Sequence, residues 1–598
     1  MPPSRNRLAI AQDIMSAPVR TILPATTVAA AQRVLLRYGH SGLCVVDDRG
    51  KLQGIISRRD LDLASHYGLG HSPVKGHMTA LNLKTVTPQT TVGKLWSLMA
   101  TYDIGRLPVI DNDELVGIVT RTDVLRQSAP LSDKGFPSSA IVYKRLQTSL
   151  QAYPLDSEDV WTLLTQIADA AQQRGWHLYV VGGAVRDLLV AASETSLQDI
   201  DLVVDGFQSP VVEGAGVVLA QQLQEQYPET ELQVYGEFQT AALSWQTNHH
   251  TSLVIDIATA RTEFYPYPAA NPDVEPSSIH QDLYRRDFTM NAMALRLTDP
   301  QSGLLLDFLG GCLDIQKRQV RVLHANSFIE DPTRIFRAVR FAMRLGFSIE
   351  PQTETFIRYA VSSGIYEKLQ QTKRRLPALQ TRLKAELTYL FQVDYWPQTL
   401  RLLDKLGALS CLQPNLTLTA ELWRHLHRVE RWRQLFVERA GKDINVAPWL
   451  VRLEVLLAGV EVRSQIANNL QLPLSSIQRL TQLALVEATL LDQFNRPEPP
   501  NPSFIYQTLV PYDLPMLLLV SVRHAKQIGQ YVWYYITELI HIKAPIDGHY
   551  LKKLGYSPGP LYRQILTALT NEVLDGNIAS LASVEAYLKR SYPIEDHR

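Results

Sequence analysis

The chain has 598 residues and no net formal charge, since 59 lysines and arginines balance 59 aspartates and glutamates. This length exceeds one hydrophobic core and predicts several domains, and the zero net charge excludes a global field that attracts nucleic acid. Three widely spaced cysteines exclude a disulfide framework or a zinc knuckle. With no apolar run long enough to span a bilayer and no signal core at its start, the chain is expected to be cytoplasmic and to have no membrane partner.

An internal repeat fills the first 130 residues, with an offset of 63 to 64 residues between its two copies. Each copy predicts an amphipathic helix and then two β-branched strands joined by a turn, "LCVVDD" and "LQGIIS" in the first and "LPVIDN" and "LVGIVT" in the second. The last strand of each copy ends in a hydroxyl residue with an aspartate three positions later. These pairs are Ser57 with Asp60 and Thr120 with Asp123.

The repeat resembles a tandem pair of CBS domains, and "GIISRRD" and "GIVTRTD" carry the resemblance. The resemblance implies that the two hydroxyl–aspartate pairs bind the ribose of an adenine nucleotide. It also implies that this module regulates the rest of the chain or joins two copies into a homodimer. From the residues alone, each pair is equally a helix cap, in which a Ser or Thr precedes an acidic residue.

The rest of the chain changes its pattern twice. Residues 131–150 are rich in Pro, Gly and Ser without periodicity and predict a linker. Alternating strand and helix patterns predict a head over residues 151–325, and beyond it helix follows helix to the end of the chain. We therefore predict an α+β multidomain protein, with the α/β repeat at 1–130, the head at 151–325, a helical neck at 326–400 and a helical body and tail at 401–598.

The head opens with two motifs that together predict a phosphate and metal site. Gly182 and Gly183 lie between the strand pattern "LYVV" and a helix, where missing Cβ atoms let backbone N–H groups approach an anion. Arg186 adds a planar cation one turn later. Asp199 and Asp201 alternate in the strand "DIDLVV", so both carboxylates point to one face. Their mutual repulsion is removed by a divalent cation, and oxygen ligands suit Mg²⁺.

A third carboxylate and a polar cluster follow. Asp256, in the strand pattern "LVIDIATAR", either belongs to the same site or is a partly exposed strand residue. Arg286 and Asp287 open an amphipathic stretch, and Asn291 follows about one helical turn later. This cluster predicts contacts to a ribose and a triphosphate. The segment before Ile279 has four prolines and little pattern, and predicts an irregular loop.

The stretch "EDPTRIFRAVRFAMRLGF", which begins at Glu330, predicts a helix with a basic face. Pro332 fits the first helical position, with Asp331 before it as a cap. Asp331 and Arg334 are three residues apart and can present an acceptor and a donor together, which is the kind of pair that reads a base edge. The basic face comprises four arginines within about a third of the helix circumference: Arg334, Arg337, Arg340 and Arg344.

Together these motifs resemble the class II tRNA nucleotidyltransferases and bacterial poly(A) polymerases, over residues 160–400 and the tail. The resemblance implies a head like that of DNA polymerase beta, then a helical neck, body and tail. It implies a template-independent reaction in which an RNA 3′ hydroxyl attacks the α-phosphate of ATP or CTP and pyrophosphate leaves. The implied metal ligands, for two Mg²⁺ ions, are Asp199 and Asp201. The implied nucleotide contacts are Gly182, Gly183, Arg186, Arg286, Asp287, Asn291, Glu330, Asp331, Arg334 and Arg337.

A local basic surface can bind RNA even though the whole chain has no net charge. Residues 331–384 contain 11 lysines and arginines against 4 aspartates and glutamates. A helical face of this kind can follow a phosphate backbone, so we expect the tRNA 3′ end to contact it. The candidate RNA-binding residues are Arg340, Arg344, Lys373, Arg374 and Arg375.

Three activities within the family, and one outside it, fit the motifs. In this family a loop at residues 261–287 is linked to switching from C to A addition, and its full length here favours addition of the terminal A to tRNA. The loop has no arginine between Arg261 and Arg285, so complete CCA addition stays open. The third activity is poly(A) synthesis on other RNA. A function of a different class also fits the motifs: a non-catalytic RNA-binding protein that senses adenylates.

Overall fold

The computed structural model describes residues 9–38, 42–66, 69–81, 83–102, 104–121, 123–124, 137–151, 159–190, 199–206, 209–246, 252–324, 326–364, 366, 378–440 and 446–593. These residues form two compact units. One comprises residues 1–334 and 341–360, and the other comprises 335–340 and 361–598.

The N-terminal repeat of the first unit folds as two halves, each around its own apolar core. The first half has a three-stranded sheet in the order β1–β2–β3, and the second has a β4–β5 pair. The strands are β1 (Thr21–Ile22), β2 (Gly42–Val46), β3 (Leu52–Ser57), β4 (Arg106–Asp111) and β5 (Glu114–Thr120). The helices are Ala11–Ile14, Val28–Tyr38, Arg58–His66 and Val92–Thr101. The β-branched runs predicted as strands are therefore confirmed.

The two cores explain the internal repeat. Val28, Leu35 and Ile56 anchor the first core, and Leu95 and Val119 anchor the second. Each set comes from one helix face and the buried side of adjacent strands, which is the pattern that the sequence repeats. The first helix, Ala11–Ile14, adds its apolar side chains to the second core.

The head is built on a mixed seven-stranded sheet in the order β14–β13–β6–β7–β10–β9–β8. β7 and β10 run parallel, and the other neighbouring strands in this sheet pair antiparallel. Its strands are β6 (His177–Val181), β7 (Asp199–Asp205), β8 (Glu231–Tyr235), β9 (Thr240–Gln246), β10 (Ser252–Thr259), β13 (Ala294–Arg296) and β14 (Leu305–Leu306). Helices in the head include Val160–Gln173, Gly183–Val190, Ala215–Gln226, Ile279–Tyr284 and Gly311–Gln316.

The segment predicted as an irregular loop is instead a β-hairpin. β11 (Arg261–Phe264) pairs antiparallel with β12 (Asp273–Pro276). Four-residue strands that hold charged residues and a proline carry too little periodicity to be distinguished from a loop. Two further short strands, β15 (Gln319–Val320) and β16 (Ser348–Ile349), pair in parallel after the head.

The stretch assigned to a linker contains a helix, Ser139–Gln151. Val142, Leu146 and Leu150 recur every four residues and are buried on one face of it. Tyr143 meets Trp161 of the next helix edge to face, with 5.3 Å between ring centroids. The helix was missed because its start is rich in serine, although its apolar spacing is regular.

The second unit is helical, as predicted. Its helices include Leu383–Gln392, Trp396–Lys405, Ala420–Ala440, Pro448–Ala458, Arg463–Asn469, Leu474–Phe494, Pro502–Leu509, Leu514–Arg523, Gln530–Thr537, Gly548–Lys553, Pro560–Leu574 and Leu581–Ser591. A buried ion pair between Arg479 and Glu454, 2.7 Å apart, ties two of them together. The helices Thr333–Leu345 and Pro351–Ser362 follow the head in the chain. The predicted α+β multidomain fold is confirmed.

No single helix in the described ranges is long and apolar enough to cross a membrane. The adjacent helices Pro502–Leu509 and Leu514–Arg523 reach the required length and hydropathy only as a pair, and they bend by 111° at their junction.

Candidate active site

Two acidic residues lie side by side on neighbouring parallel strands of the head. The register pairs Asp201 of β7 with Asp256 of β10, while Asp199 pairs with Val254. Neighbouring strands lie about 4.8 Å apart, and paired residues share a face. Ile200 and Leu202, on the opposite face, are buried. Asp256, which the sequence left between two roles, is thus exposed beside Asp201; the side chain of Asp199 lies outside the described part of the structure.

The predicted glycine turn adjoins the Asp201 carboxylate. Gly182 has a φ of +69°, which a side chain rarely adopts, and it links β6 to the helix Gly183–Val190. A Cβ at Gly182 would lie 3.1 Å from Nη1 of Arg286 and 3.5 Å from Oδ2 of Asp201. The three motifs that are separate in the sequence therefore meet at this turn.

Arg186 is buried and holds the turn to the polar cluster. Its Nη1 donates to Oδ1 of Asn291 at 2.8 Å, and its Nε donates to Asp187 at 2.7 Å. Asn291 in turn donates to Oδ1 of Asp287 at 3.0 Å. Arg186 is only 3% exposed, so it acts within the described structure as a connector between motifs.

Asp282, which the sequence analysis did not single out, orients both arginines of the "RRD" motif. Arg285 donates to Oδ1 of Asp282 at 2.7 Å, and Arg286 donates to Oδ2 at 2.9 Å. Burial alone would raise the pKa of Asp282, but these two guanidinium groups outweigh it and lower the pKa to about 2. The helix Ile279–Tyr284 ends before Arg285, so the amphipathic stretch precedes the motif rather than following it, and Asn291 lies in a short 3₁₀ helix.

The motif that starts at Glu330 lies beside the hairpin. Arg334 is 6% exposed and donates to Ser327 and, at 3.2 Å, to the backbone oxygen of Arg285. Asp331 accepts from the backbone N–H of Thr333 at 3.0 Å, which confirms the predicted cap, although the helix itself begins at Thr333.

The hairpin tip closes over this motif. The backbone N–H of Ala269 donates to the backbone oxygen of Glu330 at 3.0 Å. Arg334 donates to the Tyr265 hydroxyl at 3.5 Å and lies 5.8 Å from the centre of its ring. Glu263 of β11 accepts from Arg285 at 2.5 Å. The hairpin residues Glu263 and Tyr265 were missed because their partners lie 22 and 69 residues away in the chain.

The basic face of the helix Thr333–Leu345 is largely paired. Arg337 and Arg340 both contact Glu386, at 3.4 and 2.8 Å. Arg344 lies 3.6 Å from Asp187. Acidic residues far away in the sequence therefore supply counter-charges to this basic face. Three predicted RNA contacts, Lys373, Arg374 and Arg375, lie outside the described residues.

The two hydroxyl–aspartate pairs of the N-terminal repeat share one geometry. Ser57 donates to Asp60 and Thr120 donates to Asp123, each over 2.6 Å. Each aspartate also accepts the backbone N–H of its hydroxyl partner, at 2.9 and 2.8 Å. These contacts are those of a capped helix start, and the hydroxyl residue of each pair is the last residue of a strand, β3 or β5.

Burial disfavours the ionised form of Glu330. Burial raises its pKa to about 7, and the nearby Arg334 only partly opposes this. His324 lies 3.6 Å away, but burial lowers the His324 pKa to about 4, so this imidazole is neutral near pH 7 and does not stabilise the carboxylate.

We expect Glu330→Gln to stabilise the protein more at pH 8 than at pH 5. Between about pH 4.5 and 7 the folded chain keeps a proton that the unfolded chain has lost, so the wild type loses stability as pH rises through this window. The side chain is 34% exposed, so solvent screening limits the gain to about 1 kcal/mol. Thermal unfolding at both pH values measures it, with Glu354→Gln on an exposed helix face as the control. Equal shifts for both variants would contradict the assignment.

The acidic pair fits Mg²⁺ by its chemistry. Mg²⁺ in nucleotide enzymes takes one or two carboxylates together with waters and substrate phosphates. Asp201 and Asp256 offer that donor set on one face. Among the described side chains, which do not include that of Asp199, no group of three or more His, Cys, Asp or Glu residues converges as a metal site.

Known families match both parts of the first unit. The poly A polymerase head domain matches residues 178–321, and the CBS domain matches residues 11–66 and 74–129. An A-adding tRNA nucleotidyltransferase of Geobacter sulfurreducens is 31% identical over 97% of this chain, and the chain spans 64% of the length of that relative.

Solved structures match the chain beyond the head. A Thermotoga maritima CCA-adding enzyme complexed with tRNA is 27% identical with a TM-score of 0.56, covering 74% of this chain and 98% of that one. A CCA-adding enzyme complexed with ATP is 26% identical with a TM-score of 0.57, covering 75% and 98%. The chain therefore carries a poly A polymerase head domain behind a tandem pair of CBS domains, and it is similar to A-adding and CCA-adding tRNA nucleotidyltransferases.

Proposed function

We propose that this protein transfers AMP from ATP to the 3′ end of a tRNA that ends in CC, without a nucleic-acid template. The observation that carries the proposal is the juxtaposition of Asp201 and Asp256 with the Gly182 turn and Arg286. The poly A polymerase head domain and the similarity to an A-adding relative support the choice of substrate. The hairpin, which is present in full, favours A addition over addition of CC alone.

In the proposed reaction the RNA 3′ oxygen forms a bond to the α-phosphorus of ATP, and the bond from that phosphorus to the bridging oxygen of the β-phosphate breaks. Pyrophosphate leaves and the hydroxyl proton passes to solvent. Asp199 and Asp201, with Asp256 beside them, would hold two Mg²⁺ ions, which supply positive charge to the reacting phosphate. The carboxylates position the RNA 3′ end against the α-phosphate. Such positioning is a main contribution to catalysis in phosphoryl transfer.

The remaining residues bind the nucleotide in three places. The backbone of Gly182 and Gly183, with Arg286, faces the triphosphate, and Arg186 acts through Asn291 as a positioning residue. Asp287 lies where the ribose is expected. The base is read by Glu330, Asp331 and Arg334. RNA binds to two groups of basic residues. The first group binds RNA once its acidic partners are displaced and comprises Arg337, Arg340 and Arg344. The second group comprises Lys373, Arg374 and Arg375.

The test uses ATP with either a tRNA that ends in CC or an unstructured RNA oligonucleotide. We expect one A on the tRNA and none on the oligonucleotide. Long A tails on both substrates would select poly(A) synthesis. If neither RNA is extended while ATP still binds, the chain is a non-catalytic adenylate sensor and the proposal is wrong.

We propose further that the CBS pair binds an adenine nucleotide. The identical contacts of Ser57 with Asp60 and of Thr120 with Asp123 support this, because both pairs stand at a strand end where a ribose could reach the carboxylate. Calorimetry with AMP and ATP on wild type and on Asp60→Ala, Asp123→Ala protein measures it. Unchanged binding in the double variant would refute the site.

We propose that the same module joins two chains into a homodimer. The support is the face-to-face association that is common for CBS pairs. Light scattering on the full chain and on a chain without residues 1–130 measures the mass. A wild-type mass of one chain would refute it.

A further inference from the structure

One carboxylate of the hairpin is held by three side chains of the first CBS half. Glu275 of β12 pairs with Arg20, and Arg37 lies 3.3 Å from it. The Tyr38 hydroxyl donates to Oε1 and Oε2 of Glu275 at 3.1 and 3.2 Å. We call these four residues the Glu275 clamp.

Contacts with aromatic rings also restrain the two arginines of the Glu275 clamp, which a simple surface ion pair lacks. The guanidinium of Arg20 lies 4.4 Å from the centre of the Tyr38 ring. That of Arg37 lies 4.6 Å from the ring of Phe264, at the end of β11. Both strands of the hairpin are therefore held by the CBS half, and a planar guanidinium stacked on a ring loses less freedom when it binds a carboxylate.

A second contact lies close to the residue that orients the "RRD" arginines. Gln281 donates to the backbone oxygen of Pro18 at 3.3 Å. Gln281 is followed directly by Asp282, which binds Arg285 and Arg286.

The other parts of the hairpin lead to the nucleotide residues. Glu263 of β11 binds Arg285, and Tyr265 and Ala269 of the tip contact Arg334 and Glu330. The hairpin thus contacts the CBS half through both of its strands and the base-reading motif through its tip. A shift of β12 at the clamp would move the tip, because the two strands are paired over four residues.

The clamp also lies at the end of the CBS sheet that carries Ser57. β1 pairs with β2 through Thr21 and Cys44, and β2 pairs with β3 through Gly42 and Ser57. Arg20, which precedes Thr21, is thus level with Leu43, one residue along the sheet from the Gly42–Ser57 pair. Two strand spacings, about 10 Å, separate the two outer strands.

We propose that Glu275 is a positioning residue for nucleotide selection: the Glu275 clamp holds the hairpin against Arg334 and Glu330, and this arrangement accepts ATP in preference to CTP. The proposal rests on the proposed function for the direction of selection. It assigns the CBS pair a physical connection to the active site that does not require a second protein.

The test compares Glu275→Gln with Glu354→Gln. Both variants remove one carboxylate charge from a partly exposed ion pair, since Glu275 is 34% and Glu354 29% exposed, but the ion-pair partner of Glu354 is Arg358 of its own helix. We expect Glu275→Gln to lower the ratio of kcat/KM for ATP to that for CTP about fivefold to tenfold, a modest coupling between sites. Adding Arg37→Gln to Glu275→Gln should cause no further loss, because both changes break one clamp.

Two outcomes distinguish failure of the clamp proposal from failure of the proposed function. If the wild type selects ATP and Glu275→Gln has the same ratio as Glu354→Gln, the clamp proposal is overturned. If the wild type extends no tRNA, the proposed function fails, and amide hydrogen exchange of residues 261–276 then decides on the clamp. Faster exchange in Glu275→Gln than in Glu354→Gln supports it, and equal exchange overturns it.

Discussion

Replacing Asp201 by alanine is expected to lower the rate of A addition by about a thousandfold, the size of effect that follows loss of a major electrostatic group in an active site. Asp201 lies at the meeting point of the glycine turn, Arg286 and Asp256, so the variant removes the carboxylate that lies against that turn. Single-turnover extension of a tRNA ending in CC measures the rate. The control is Asp169→Ala, which removes an exposed carboxylate from the helix Val160–Gln173.

The Asp256→Ala variant tests whether Asp256 shares the metal site with Asp201. If Asp256 shares the metal site, Asp256→Ala should also lose well over tenfold in rate, and the loss should shrink as the Mg²⁺ concentration is raised. A variant with wild-type rate would show that Asp256 is only an exposed strand residue. Substantial activity in Asp201→Ala would remove the basis of the catalytic proposal altogether.

Replacing Arg334 is expected to change which nucleotide is added. Arg334 is buried between Ser327 and Tyr265, so its donors are fixed in direction. A paired base contact contributes about 1–3 kcal/mol of discrimination, so the preference for ATP over CTP should fall about tenfold to a hundredfold. Arg334→Lys is the informative variant, because it keeps the charge and loses the planar fork.

The readout for Arg334 is the ratio of kcat/KM for ATP and CTP on the same tRNA. Loss of folding would lower both values, whereas loss of base reading lowers the ratio. Arg358→Lys, on an exposed face of the helix Pro351–Ser362, is the matched control. An unchanged ratio in Arg334→Lys would mean that another group reads the base.

Local patterns predicted the elements that depend on near neighbours. The strand of Asp199 and Asp201, the turn at Gly182 and the cap at Asp331 are each set by residues within a few positions, and the structure has them. The head domain and the tandem CBS domains inferred from these motifs are confirmed. The roles of the individual site residues stay predictions.

What the sequence could not reveal depends on partners far apart in the chain. Glu386 contacts Arg337 and Arg340 across more than 40 residues, so no local pattern could show that this basic face is paired. Glu263 reaches Arg285 only because the chain folds back as a hairpin. Asp282 is different: it precedes Arg285 and Arg286 by three and four residues, a helical spacing that could have identified it.

Measuring which nucleotide is added to three tRNA ends tests directly whether this chain adds only the terminal A. Transcripts that end before CCA, after C and after CC are each given ATP, CTP or both, with Mg²⁺. We predict that only the transcript ending in CC is extended, by a single A and only when ATP is present. Completion of all three transcripts to CCA would contradict this prediction and assign the whole CCA sequence to this one chain.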